Sequence, residues 1–506
     1  MFTERSDILA DADPIRGYGA AVTPGREGPL VFVAGYGEPN RLYARDGDRF
    51  VDTACGIVAD GTRHGMGVCA ADLDADGCEE VYVHNCARGA DGGGDPDLLL
   101  NRLESERYRW TDVFALDVNT DRLDVRAGRS VTALDRLGTG RYGVAVSGYA
   151  APLAFYELGD DGEITDMADA VGLEVDGGCR SLLAVPPCTG QGDLFAGVER
   201  GPNYLFRNNG GHYDRTDGGP ELADPTGDTR GAALVDEGGS FALAVGNEDA
   251  PNRLLRRAAD CRFVDAAPPS LRAPGRVRTV VAADFDNDGR EELFYNILGG
   301  RNRLFEQVDD PGGTGGASDT SGADDAGGAG VAETDDGDVA EHGARWQQVD
   351  PGDAAEPNGF GTGGVAADLD GDGVLELLVV HGEVAAQPLS VYKSAAAAAA
   401  GWLRIRPTTR HGSPARGAVV RLETTTGVQK RAIDAGGGCL CQTEPVAHFG
   451  LGEAEPVRVD VQWPDGRERT LTDVHSRTEM TVDHPSRRRA MEPGNRGQRR
   501  DRSIGR

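Results

Sequence analysis

Lysine is almost missing from this chain of 506 residues: Lys393 and Lys430 are the only two, and arginine supplies every other permanently basic side chain. Aromatic residues make up 6% of the chain and methionine fills five positions, which excludes a core built mainly on large aromatic side chains and suits many short strands. No stretch stays apolar for the ~20 residues that a membrane-crossing helix needs. The opening residues Met1 to Asp7 show neither a basic nor an apolar leader region, so a cytoplasmic location is expected. Nine scattered cysteines, an odd number, argue against a complete disulfide framework. The pair Cys439 and Cys441 lacks the second pair that a zinc site would need, and reads as two alternating strand residues.

Acid is what the chain has in excess. Asp and Glu number 83 against 52 Lys and Arg, for a formal charge of −31. That balance disfavours a nucleic-acid-binding body and favours cationic or metal partners. The lysine-poor, acid-rich composition resembles that of haloarchaeal proteins, where about 1 M salt shortens the Debye length to ~3 Å and makes self-repulsion tolerable.

The acid is concentrated in three copies of one nine-residue pattern: Asp72 to Glu80, Asp284 to Glu292 and Asp368 to Glu376. Carboxylates stand at positions one, three, five and nine: Asp72, Asp74, Asp76 and Glu80; Asp284, Asp286, Asp288 and Glu292; Asp368, Asp370, Asp372 and Glu376. Such a cluster repels itself unless a hard cation sits inside it, and Ca²⁺, which takes six to eight oxygens, suits it better than Mg²⁺. The glycine at position six lets the chain turn, so that the carbonyl of Cys78, Arg290 or Val374 at position seven can complete the set. An EF-hand is excluded, because position twelve is Val83, Tyr295 or Val379 within an apolar, strand-like run. The prediction is Ca²⁺, about three ions, held in β-hairpin loops.

A second pattern follows each loop: Asn-Arg-Leu or a relative, then an aromatic before Asp or Thr. It occurs at Asn40-Arg41-Leu42, Asn101-Arg102-Leu103, Asn252-Arg253-Leu254 and Asn302-Arg303-Leu304, with looser copies elsewhere. Counting both patterns gives seven units, beginning near Gly17, His64, Gly128, Gly178, Thr229, Arg276 and Gly359. A single four-stranded sheet cannot bury both faces, whereas radial packing of several does. The expected fold is all-β: a seven-bladed β-propeller over residues 1–394, followed by a small all-β domain. The last unit lacks a fourth strand, and residues 2–9 are expected to supply it. Metal loops are expected in the second, sixth and seventh blades only, since the third keeps Asp135 alone and the fifth only Asp236 and Glu237. Residues 309–344, almost free of large apolar side chains, read as a disordered loop insertion. An alanine linker spans 395–400, and the tail 485–506 is arginine-rich and reads as disordered.

From Trp402 the chain alternates with period two, which reads as a sandwich or open barrel over 401–484. The Asp loops and repeats resemble the FG-GAP/VCBS repeats of integrin-α propellers. Trp402-Leu403, Arg416 to Val420, His448 to Gly452 and Trp463 to Gly466 resemble the ASPIC/UnbV domain. The arrangement is similar to that of the cartilage acidic protein 1 family and its prokaryotic relatives. The resemblance implies calcium binding and extracellular or cell-surface interaction, although the EGF-like module of some animal members and a secretion signal are missing from the pattern.

Two functions follow. The first is a non-catalytic, calcium-binding scaffold, expected as a monomer, whose blades bind a protein or glycan. The alternative is a polysaccharide-active hydrolase or lyase with its site in the propeller channel. No nucleophile elbow, zinc-protease motif or phosphate-cradling loop is present. His64, His84 and His381 read as ordinary packing residues, or at most a general acid or base, and His448 as a structural hydrogen-bonder. The arginine-rich tail is the single hint of nucleic acid, and lying on the chain's own acidic surface is its favoured reading.

Overall fold

The computed structural model describes residues 1–487 apart from 12, 89–92, 103–108, 150, 176–177, 187–190, 217, 259–260 and 310–343. Among the described residues, the chain up to Ser394 holds one two-stranded ribbon, Ala87–Arg88 with Gly93–Gly94, and seven four-stranded antiparallel sheets. Their first strands are Gly17–Pro24, Gly65–Ala71, Gly128–Leu134, Cys179–Val185, Thr229–Asp236, Val277–Ala283 and Gly361–Ala367. Each first strand lies against the next, and the last returns to the first, so the sheets form a closed ring about a channel. The apolar faces of neighbouring blades fill the seams, as where Phe32 and Leu42 of blade one meet Val68 and Val81 of blade two. The fourth strand of the seventh blade is the chain start. Phe2–Glu4 runs antiparallel to Ser390–Ser394, with Phe2 opposite Ser394 and Glu4 opposite Tyr392. This pairing covers two sheet edges that would otherwise be open. Phe2 anchors it, packing edge-on against Phe285 at 5.1 Å between ring centroids.

The Asn-Arg-Leu pattern has a physical role. Asn40 Oδ1 accepts the Gly35 amide at 2.9 Å while its Nδ2 donates to Val58 O at 3.0 Å, locking the turn before the third strand. Asn252 and Asn302 do the same in their blades. In blade two, Asp97 takes that place, accepting the Asn85 amide through Oδ1. Asn101 is therefore not the counterpart of Asn40; it stands further along the strand, beside the Asp loop.

Beyond a single 3₁₀ turn at Ala396–Ala399, two more sheets follow. Gly401–Thr408 pairs with Ala447–Gly452 and, in parallel, with Thr478–Asp483. The strands Val428–Ala432, Val419–Thr424, Pro456–Gln462 and Glu468–Leu471 form the other sheet. Leu403, Ile405, Val420, Phe449, Val461 and Trp463 make their shared core.

The segment 434–444, between these sheets, runs into the propeller channel. Ala133 donates to Ala435 O at 2.7 Å, Ala232 exchanges two backbone bonds with Gly438, and Val68 donates to Leu440 O at 3.0 Å. Gln442 bonds Ala20 and Val22 through its backbone and Ala70 through its side chain. Cys439 donates to Arg180 O, and Glu444 N donates to Ala366 O. Cys439 is thus a turn residue and Cys441 forms an isolated bridge to Gly437, both buried in the channel, and they are not alternating residues of a strand as expected. Burial pushes the Cys441 thiol up to about 12. Cys261 is disulfide-bonded, whereas Cys55, Cys69, Cys78, Cys86, Cys179, Cys439 and Cys441 are in the thiol form. Apart from Asp309 and Ala344, the expected insertion lies outside the described residues, as does the tail from 488 onward.

Candidate metal centres

Each Asp loop joins the first two strands of its blade, in blades two, six and seven. The backbone of all three is the same. Positions four and six lie in the left-handed region, with φ of 68° at Ala75 and 93° at Gly77, 60° at Asn287 and 99° at Gly289, and 78° at Gly371 and 83° at Gly373. Two left-handed residues two apart curl the loop over its own carboxylates.

The curl is tied from inside. In the first loop Asp72 Oδ2 accepts Gly77 N at 3.1 Å, Asp74 Oδ1 accepts Asp76 N at 3.0 Å, and Glu80 Oε2 accepts Leu73 N at 2.7 Å. In the second, Asp284 Oδ2 accepts Gly289 N at 3.0 Å and Glu292 Oε2 accepts Phe285 N at 2.8 Å. The third repeats this through Asp368 with Gly373 N and Glu376 with Leu369 N. One oxygen of each end residue is thereby fixed. The other oxygens, Asp72 Oδ1, Glu80 Oε1 and Asp284 Oδ1, are buried and have no hydrogen-bond partner. Ligand oxygens of Asp72, Asp74 and Glu80 lie within 4.8 Å of one another, as do those of Asp284, Asp286 and Glu292 and those of Asp368, Asp370 and Glu376. Asp76, Asp288 and Asp372 sit at the loop edge, where each accepts the amide of the position-seven residue, Cys78, Arg290 or Val374.

Packing carboxyls this way opposes ionisation. Burial first, then neighbouring acids, pushes Asp284 up to about 8 and Glu80 and Glu292 well above the usual carboxylate range. Burial likewise lifts Asp72 to about 7, against the hydrogen bonds of Ser413 and Gly77. A cation at the centre would reverse that balance.

The third centre differs. Lys393 Nζ lies 2.8 Å from Asp370 Oδ2, 2.8 Å from Asp372 Oδ1 and 2.5 Å from Glu376 Oε1.

The C-terminal sheets rest on all three loops. Gly450 N donates to Asp284 Oδ2 at 2.9 Å, Gly452 N donates to Asn287 O, and His448 Nε2 meets Asn287 Oδ1 at 2.6 Å. Arg404 lies 3.6 Å from Asp368 and 2.8 Å from Glu444. Arg416, wholly buried, binds Glu79 of the first loop through Nε at 2.6 Å and Nη2 at 3.1 Å. Of the residues that carried the ASPIC/UnbV resemblance, Arg416, His448, Gly450 and Gly452 are thus among those that touch the Asp loops.

The family model described as ASPIC and UnbV matches residues 408–489. Cartilage acidic protein 1 of Mus musculus is 37% identical over 495 residues, covering 90% of this chain and 72% of that protein. The chain belongs to the cartilage acidic protein 1 family. The Homo sapiens protein of that name is 36% identical over 495 residues, covering 90% and 70%. Among solved structures, YCF48 bound to D1 peptide aligns at a TM-score of 0.43 and 10% identity, covering 78% of this chain and 96% of that one. BBS1N in complex with ARL6DN aligns at 0.43 and 10%, covering 76% and 95%.

In this member of the cartilage acidic protein 1 family, blades without the full Asp pattern neutralise what remains by other means. Asp236 of blade five accepts Lys430 N and faces Arg431 at 3.3 Å, and Asp135 of blade three accepts the amides of Thr139 and Gly140. The three histidines lie away from the loops: His84 and His381 stand about 13 and 17 Å along their strands from Glu80 and Glu376 at ~3.3 Å per residue, and His64 precedes the far end of Gly65–Ala71. His84 is spent between Asp97 at 2.6 Å and Ser147 O at 3.0 Å, and His381 between Pro388 O and Glu356. His64 meets Asp95 at 2.7 Å. Asp97 and Asp124, which cluster with His84, are bound by the hydroxyls of Tyr82 and Tyr156. No helix among the described residues is long and apolar enough to cross a membrane.

Proposed function

We propose that this protein is a calcium-binding, non-catalytic interaction scaffold. Ca²⁺ in the hairpin loops would fix the blades and fasten the C-terminal sheets to them, leaving the opposite face and the outer strands free to bind a protein or glycan. The observation that carries this reading is the set of buried carboxylate oxygens, Asp72 Oδ1, Glu80 Oε1 and Asp284 Oδ1, that have no partner and converge with further acids. A buried charged oxygen without a partner costs several kcal/mol, and a hard cation is the group that removes that cost for several such oxygens together. The position-seven carbonyls of Cys78 and Arg290 are assigned to the same ions, and that of Val374 stands at the equivalent place in the third loop.

The channel-centred hydrolase or lyase loses its place in this reading, because residues 434–444 bond the channel walls from within. We further take 1–394 and 401–484 as the two structural units, with 395–400 as the connection. The disulfide at Cys261 favours an oxidising, extracytoplasmic setting over the cytoplasmic one.

Calorimetric titration with CaCl₂ and MgCl₂ in concentrated KCl, beside thermal melts with and without chelator, tests the reading. Stoichiometric calcium binding that raises the melting temperature is expected. Unchanged melts and no heat of binding would overturn it.

A further inference from the structure

The three Asp loops share their backbone, yet the residue that faces each from the third strand of its blade differs. Glu376 is paired across the sheet with Lys393. One step beyond the pair Leu100 and Val81, the same register sets Asn101 opposite Glu80. One step beyond Leu293 and Phe305, it sets Glu306 opposite Glu292. A single structural position therefore holds an amide in blade two, an acid in blade six and an ammonium in blade seven.

Their contacts follow from their charges. Asn101 Nδ2 donates to Asp74 Oδ2 at 3.0 Å and adds no charge. Glu306 brings a further carboxylate to a loop that already holds four. Lys393 is 8% exposed and places its ammonium on Asp370 Oδ1 at 2.9 Å, Asp370 Oδ2 at 2.8 Å, Asp372 Oδ1 at 2.8 Å and Glu376 Oε1 at 2.5 Å. Those are the carboxylates that a divalent ion in this loop would need. Asp368, the remaining ligand position, already accepts the amides of Gly371, Asp372 and Gly373 and lies near Arg404. In a chain with two lysines, one of them fills this position.

We propose that Lys393 is a tethered cation that occupies the third loop in place of Ca²⁺, so that the chain binds two calcium ions, in blades two and six. The blade-two and blade-six loops keep their carboxylates for the metal: Asn101 adds no charge to the first, and in the second the charge of Glu306 is set against those of Arg290, 3.4 Å from Asp288, and Arg431, 3.7 Å from Asp284. The blade-seven loop is closed by the chain's own ammonium, which is present at every calcium concentration and cannot be chelated. This blade also receives the chain start, with Thr3 opposite Lys393, so a metal-independent clasp sits where the ring is joined.

This inference rests on the calcium reading above, and the experiment separates the two. Calcium bound per chain is counted by native mass spectrometry and calorimetry on the full-length protein, for the wild type, Lys393→Met and Asn101→Lys. Two ions are expected in the wild type, three after Lys393→Met and one after Asn101→Lys. Three ions in the wild type, or no gain after Lys393→Met and no loss after Asn101→Lys, would overturn the role of Lys393 while leaving calcium binding intact. No ions in the wild type would overturn the calcium reading itself. If Lys393→Met does not fold, Asn101→Lys alone decides, because it carries the same ammonium to an equivalent loop.

Discussion

Replacing Arg416 by methionine should be among the most damaging single changes available outside the Asp loops. The guanidinium is completely buried, and its partner Glu79 is 2% exposed. It makes two charged bonds to Glu79 and donates to Val22 O at 2.9 Å, Asp434 O at 2.7 Å and Thr443 O at 3.3 Å. One side chain thus joins the first Asp loop, the first strand of blade one and both ends of the channel segment. Methionine keeps most of the volume and removes every one of those bonds. Glu79 would be left with the Thr23 hydroxyl at 2.7 Å as its remaining side-chain partner. Removing one member of a buried ion pair costs about 3–5 kcal/mol, chiefly because the other charge stays buried alone. With a urea slope of roughly 3 kcal/mol/M or more for a chain of this size, the unfolding midpoint should fall by about 1 M. Saturating calcium during the assay keeps metal loss from contributing. The double substitution Arg416→Met with Glu79→Gln should recover part of the loss, with a coupling on the order of 1–3 kcal/mol. A midpoint within about 0.2 M of wild type for Arg416→Met alone would refute this account of the joint.

Four further outcomes can be checked. In Gly450→Ala, the new Cβ would stand 2.3 Å from Asn287 Cα and 2.4 Å from Asp284 Oδ2, so the calcium-induced rise in melting temperature should shrink markedly. Ala75 holds a φ of 68°, a conformation that costs an L-residue about 1–2 kcal/mol; Ala75→Gly should therefore raise stability by about 1 kcal/mol in chemical denaturation. In chelator, stability should fall as pH rises. Burial lifts the folded carboxyls of the two metal loops from the ordinary value of 3.8 to about 7 at Asp72 and about 8 at Asp284, so between pH 4 and 8 the folded state holds protons that the unfolded chain has released. Calcium should abolish that slope, and a metal-free melting temperature constant from pH 5 to 8 would contradict it. Deleting residues 2–9 removes the strand paired with Ser390–Ser394 and should lower the melting temperature with or without calcium; an unchanged value would show that the ring closes without it.

Local pattern made much of this molecule legible. The seven units expected near Gly17, His64, Gly128, Gly178, Thr229, Arg276 and Gly359 correspond to first strands that begin within two residues of those positions. The Asp loops were readable because each is one short run whose carboxylates are close in sequence. Asn101 and Lys393 were not, because their relation to the loops is one of strand register, and the Asn-Arg-Leu likeness drew Asn101 to the wrong place in the turn. The channel segment escaped for a different reason: 434–444 has no periodicity, and its bonds run to residues far off in the chain, as from Ala20 N to Cys441 Sγ across 421 positions. A signal for it was nevertheless present in the repeats. The third residue of each first strand is small in every blade: Gly19, Gly67, Ser130, Ser181, Gly231, Thr279 and Gly363. A Cβ on Gly19 would stand 2.5 Å from Leu440 O, one on Gly231 2.5 Å from Gly438 O, and one on Gly363 2.5 Å from Cys441 Sγ. Small side chains at one position of every repeat mean that something passes close to the channel wall at that level, and a chain that must fill its own channel has to keep that ring small.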